Sequence, residues 1–297
     1  MPRTCCVYRV DLHVSASHGL FLRLNYFRSY TALQSGITFT MTLDPNTVAL
    51  SIGAGAAAGL VGCFAVMRRM TLAADAISHI ALPGIGLAIL LRVHPILGGV
   101  AALLVGTLLV WGIENRTRLA TETIIGVVFS VALAIGSLMT TGEQLIEALF
   151  GGVGRSTAVE ATLGLVVALG VIAFVVWQRQ RLVLALVSPE IAHTSGINVR
   201  RLNLYFLLVF ALTIALGLRY LGVLLVGSLV IIPAATAKRL ARSLRGMLLI
   251  SVAVSIASTT LGTWLALALR RTPGSMIVLV AAGFFLLSLL RRLGTRR

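Results

Sequence analysis

TLAADAISHIALPGIGLAILLR, residues 71–92, sets the class of the whole chain. Between Thr71 and Arg92 only Asp75 and His79 can ionise, and nearly everything else is apolar or small. A run of about 20 such residues, rising ~1.5 Å each, crosses the roughly 30 Å of hydrocarbon in a bilayer. Inside lipid every backbone group must find its partner within its own segment, so the run is predicted to be a helix.

Runs of the same kind recur on either side. We read spans at Asn46–Val66, 73–91, Ile96–Ile113, Glu122–Met139, 157–177, Leu204–Leu218, Leu221–Ala237, Met247–Leu269 and Ser275–Leu290. Residues 204–237 are too long for one crossing. The stretch holding Gly217, Arg219 and Gly222 is the expected break, although a re-entrant pair there would lower the number of crossings. The expectation is an all-α polytopic membrane protein of about 8–9 transmembrane helices. Composition agrees: 58% of the 297 residues are hydrophobic and 11% charged, where a soluble chain averages about 25% charged, and mean hydropathy is +0.99.

A net charge of +16 invites comparison with nucleic-acid binders. Its distribution excludes that class. Lys238 is the only lysine, and the arginines gather at the ends of apolar runs instead of forming a basic stripe among aromatics. With nine crossings, sixteen basic residues after Met41 fall on one side and five on the other. That bias makes the richer side cytoplasmic and places the C-terminus inside. Cys5, Cys6 and Cys63 lack metal-ligand spacing. Residues 1–40 differ in texture from the rest and do not have the order of a signal peptide. They are read as an over-extended or disordered N-terminal segment, and 41–297 as the membrane domain. Gly55 and Gly59, with Gly62 nearby, form a small-residue pattern that permits close helix packing, a pattern also common by chance in such spans.

Two constellations carry chemistry. Asp75 and His79 lie four residues apart and share one helix face. An aspartate deep in a membrane helix costs about 2.5–3.5 kcal/mol, which makes such a residue a functional candidate by default. Carboxylate oxygen plus imidazole nitrogen suits manganese, iron or zinc. Ser78 lies beside the pair. Pro83 offers no N–H to the carbonyl of His79, so the helix is expected to kink there, with Gly84 allowing a close neighbour. From the pattern alone a second reading stays open, in which the pair only orients helices. The other constellation is RQRLVLALVSPEIAHTSGINVRRLN, residues 179–203. Ser188 is placed to cap a short helix opening at Pro189, with Glu190 in its first turn, Ala192 within it and Gly196 as its stop. Such a helix offers a grip to a soluble partner, and an ordinary surface helix is the competing reading. His193 and His94 are read as surface or interfacial residues, and Glu122 and Glu160 as span-end residues. A Walker A loop needs Gly-Lys-Ser/Thr. Ala237 precedes the only lysine, so nucleotide is not bound here in that manner.

These residues resemble the zinc/manganese/iron ABC permeases. Residues 62–91 are similar to the start of that family, whose second helix carries a pattern close to G-D-A-L-S-H-A-V-L-P-G. Here Ala74 stands for the usual glycine, while Asp75, Ser78, His79, Pro83 and Gly84 match. Leu149-Phe150-Gly151 resembles the family's L-F-G. Residues 188–199 look like its D-P-E-x-A-x-x-x-G-x-x-V segment with Ser188 for aspartate, and 220–238 resemble its G-V-L-L-V…I-P-A-A-T-A run. The resemblance implies a homodimeric importer permease in the cell membrane, with two cytoplasmic ATPase subunits and an extracytoplasmic metal-binding protein. It implies Asp75 and His79 as gate or transit ligands and the segment 182–201 as the coupling element. No cofactor is implied beyond the transported metal. An ion-coupled secondary transporter using Asp75 and His79 as a proton relay is the alternative, favoured by inverted repeats, of which we detect none in the sequence.

Overall fold

The computed structural model describes residues 45–117, 119–139, 158–269 and 271–293. The N-terminal segment and the Leu149-Phe150-Gly151 motif therefore lie outside the described residues. Among those described there are helices and no strands. They are α1 (Pro45–Met67), α2 (Ala73–His79), α3 (Ala81–Leu90), α4 (Pro95–Glu114), α5 (Thr121–Met139), α6 (Ala158–Val187), α7 (Pro189–Thr194), α8 (Val199–Leu240), α9 (Leu244–Leu269) and α10 (Pro273–Leu293). Nine spans among the described residues are long and apolar enough to cross a bilayer, counting α2 with α3 as one and α8 as two. All nine were expected from the sequence.

Helix α8 is the centre of the packing. It lies against α1, α2, α4, α9 and α10, while α1 also packs on α6 and α9. Phe64, Phe206, Phe210, Leu207 and Val230 are essentially inaccessible there. The Gly55/Gly59 face of α1 meets α9, where Ser251 donates to the Gly59 carbonyl at 2.7 Å and Ser255 to that of Gly55 at 2.6 Å. With the small residue removing side-chain bulk, hydroxyls reach backbone oxygens across the helix pair.

The continuity of α8 is broken at Gly222, whose φ of 74° and ψ of 172° are not helical. That region of backbone space is essentially reserved for glycine. The break separates the span Val199–Leu218 from Leu221–Leu240, within the stretch where excess length required one.

Two boundaries differ from the hydropathy reading. Helix α6 continues past Trp177 to Val187, and its 30 residues extend about 45 Å, longer than the hydrocarbon is thick. Gln, Arg, Leu and Ala after Trp177 favour helix whether or not lipid surrounds them, so the helix outlasts the apolar signal. Helix α8 likewise opens at Val199, earlier than expected, because Asn198 caps it: its Oδ1 accepts from the Arg201 amide at 3.1 Å.

Candidate metal-transit site

The second span is two helices. Helix α2 closes at His79, the Ile80 amide bonds back to the Ile77 carbonyl at 3.0 Å, and α3 opens at Ala81. The proline at 83 has no donor for the His79 carbonyl, so a tight turn replaces one helical turn here. Beyond it, Gly84 crosses Gly98 of α4 at backbone contact. A Cβ on either glycine would stand 2.2 Å from the other's carbonyl oxygen, which seats α3 firmly on α4.

Asp75 and His79 occupy one face of α2. Ser78 is fully buried beside them, and its hydroxyl has the carbonyls of Asp75 (2.6 Å) and Val223 (2.8 Å) within reach. Val223 directly follows the break at Gly222, so Ser78 ties α2 to the start of the second half of α8. One turn further along α8, Gly227 faces the backbone of Asp75, where an added Cβ would lie 2.9 Å from the Asp75 Cα. His79 is 8% exposed, and its ring meets Phe129 of α5 edge-on, with centroids 5.4 Å apart. Its Nδ1 is buried and without a hydrogen-bond partner. Phe129 stands about 12 Å along α5 from Thr121, at ~1.5 Å per residue. His79 is thus inside the span, while Asp75 lies in the first turn of α2.

Chemically, this is a carboxylate and an imidazole held on one helix turn in a largely apolar setting. Together they offer one oxygen and one nitrogen donor to a borderline cation. No group of three or more His, Cys, Asp or Glu side chains able to hold a metal converges among the described residues. Two donors alone would leave most of a cation's coordination shell open to water or further groups.

The second constellation forms the short helix α7. Ala192 is fully buried, while Glu190, Ile191 and His193 are exposed. Gly196, at φ 76°, ends the helix: its amide bonds to the His193 carbonyl at 3.1 Å and that of Ile197 to Ala192 at 3.0 Å, the paired bonds of a Schellman stop. Ser188 occupies the position before the first turn, yet its side chain makes no capping bond, contrary to expectation. Its amide still closes α6 by donating to Leu184, while its carbonyl opens α7 by accepting from Ala192, both at 3.0 Å. The residue is a joint between two helices, and its backbone is set by both. At the opposite end of the spans from α7, His94 pairs with Glu160 at 3.8 Å.

Sequence reasoning missed Phe129, Val223 and Gly227. All three come from apolar runs whose chemistry carries no signal, and only the pairing of α2 with α5 and α8 brings them to the site.

Nine apolar spans among the described residues, one of them interrupted and carrying an ionisable pair, define a polytopic membrane protein. The model of the ABC 3 transport family matches residues 41–292. The chain belongs to that family. It is 30% identical over 247 residues to the manganese import system permease protein ScaB of Streptococcus parasanguinis, covering 82% of this chain and 88% of that one. It is 32% identical over 242 residues to the high-affinity zinc uptake system membrane protein ZnuB of Haemophilus influenzae, covering 78% and 91%. Among solved structures, it resembles PsaBC from Streptococcus pneumoniae in complex with Fab, with a TM-score of 0.73 and 27% identity over 87% of this chain and 95% of that one.

Proposed function

We propose that this chain is the membrane permease subunit of an ATP-driven importer that moves a divalent transition metal, manganese, zinc or iron, into the cytoplasm. The observation that carries the reading is the Asp75–His79 pair, with the buried Nδ1 of His79 unpartnered by protein, at an interruption of the second span. Family membership and relatives named for manganese and zinc uptake support it.

In this reading Asp75 and His79 are transit ligands. They bind a partly dehydrated ion weakly enough to release it, with water and the same pair from a second permease copy filling the shell. The arginine-rich ends of the spans and the C-terminus face the cytoplasm. There α7, with Ser188, Pro189, Glu190, Ala192 and Gly196, is the coupling helix held by a separate ATPase subunit. An extracytoplasmic metal-binding protein delivers the ion on the other side. The metal is cargo, and no resident cofactor is required. ATP-driven closure of the ATPases displaces α7, and α2 rearranges in response, exposing the pair to each side in turn.

The test is ATP-dependent metal uptake by the reconstituted importer carrying Asp75→Ala or His79→Ala. Each variant is expected to assemble with the ATPase and to lose uptake. Normal transport by either one in an assembled complex contradicts the assignment.

A further inference from the structure

A second polar network, remote from Asp75 and His79, joins four helix ends at the arginine-rich face. Arg68 directly follows α1. Its guanidinium lies 4.3 Å from the ring centre of Phe206 and donates to Asn203 Oδ1. Asn203 Nδ2 donates to Glu114 Oε2 at 2.7 Å, and the Thr121 hydroxyl donates to Glu114 Oε1. Alongside, Trp111 Nε1 donates to the Arg200 carbonyl at 3.2 Å, and the Arg200 guanidinium sits 5.3 Å from the Trp111 ring. Arg200, Asn203 and Phe206 recur at three-residue spacing, so one face of the first turns of α8 makes every one of these contacts except the Thr121–Glu114 bond.

The chemistry of this network fixes its arrangement. Arginine only donates and an ionised carboxylate only accepts. Asn203 therefore stands between them in one orientation, with its oxygen to Arg68 and its amide to Glu114. Burial lowers Arg68 to about 10, while Glu114 pulls the other way; the group is still a cation at neutral pH. Removing one member leaves a partly buried charge without its partner, which is costly. The four helix ends are thus held in one discrete arrangement, not a continuum.

Its position is what gives it a role. The first turn of α8 follows α7 after only the short link 195–198, and Arg68 precedes α2 by only the link 69–72. The network is thereby a short bonded route between the segment proposed to grip the ATPase and the helix carrying the transit pair. We propose that Asn203, together with Arg68 and Glu114, is the positioning joint through which displacement of α7 is passed to α2, so that Asp75 and His79 move in step with ATP turnover. This inference rests on the functional reading given above.

The experiment measures ATP hydrolysis and metal uptake together in the reconstituted permease, ATPase and binding protein. Asn203→Asp sets two carboxylates face to face and is expected to lower metal imported per ATP by roughly tenfold, a typical size for coupling between sites. Assembly and hydrolysis are expected to stay within about twofold. Adding Glu114→Gln to Asn203→Asp pairs every donor and acceptor again with only the 203–114 bond reversed: Arg68 donates to the new carboxylate, the new amide donates to it as well, and the amide oxygen accepts from Thr121. The double variant is expected to recover most of the ratio. An unchanged ratio in Asn203→Asp overturns the joint. So does a parallel fall of hydrolysis and uptake, or a double variant no better than the single one. Wild-type complex that imports no metal with ATP overturns the functional reading itself, and the joint with it.

Discussion

Asp75 and Gly227 face each other with no room between them, since a Cβ at 227 falls 2.9 Å from the Asp75 Cα. Gly227→Ala forces α2 and α8 apart at Asp75. Overpacking of this kind costs about 1–3 kcal/mol. The purified variant is expected to melt at lower temperature and to import metal poorly, and an unchanged melting curve with normal uptake would show that the contact is loose. Asp75, Ser78 and His79 were legible in the sequence because ionisable and polar groups stand out in an apolar run. Gly227, Phe129 and Val223 were not, because a glycine, a phenylalanine and a carbonyl acquire meaning only from what lies opposite. The Arg68 network was illegible for a related reason. Asn203 bonds to partners 135 and 89 residues away along the chain, and no local spacing announces such a pairing.

Among the elements, α8 and the α2–α3 pair carry the departures from regular helix. Length alone required α8 to break, and its glycine-bearing stretch located where. Gly222 then adopts a conformation that a side chain resists, so Gly222→Ala is expected to cost about 1–3 kcal/mol and lower the thermal midpoint. Full stability of that variant would mean that the break relaxes without strain. The kink before Pro83 was readable from the missing N–H. Where α6 ends was less readable, since hydropathy stops at Trp177 while backbone hydrogen bonding and good helix formers carry the helix to Val187. Ser188 shows how a cap signal fails: the residue type and position fit, but a serine shared by two helices has its backbone set by both.

At the scale of the whole molecule, apolar runs were enough to anticipate the nine spans found among the described residues. They do not say which spans touch. Only the packing of α8 against α1, α2 and α4 brings the break at Gly222 beside the helix of Asp75 and His79 and the first turn of α8 beside Arg68. The Asp75–His79 pair in the span and the Arg68 network at its arginine-rich end both pack against the same long helix. The central claim is that the metal passes by way of Asp75 and His79. The most direct measurement is the amount of radioactive manganese or zinc retained by the assembled importer when turnover is arrested with a hydrolysis-deficient ATPase and ATP. Wild-type permease is predicted to retain metal after washing, and the Asp75→Ala/His79→Ala double variant, equally assembled, to retain only background. Equal retention by both would contradict the account.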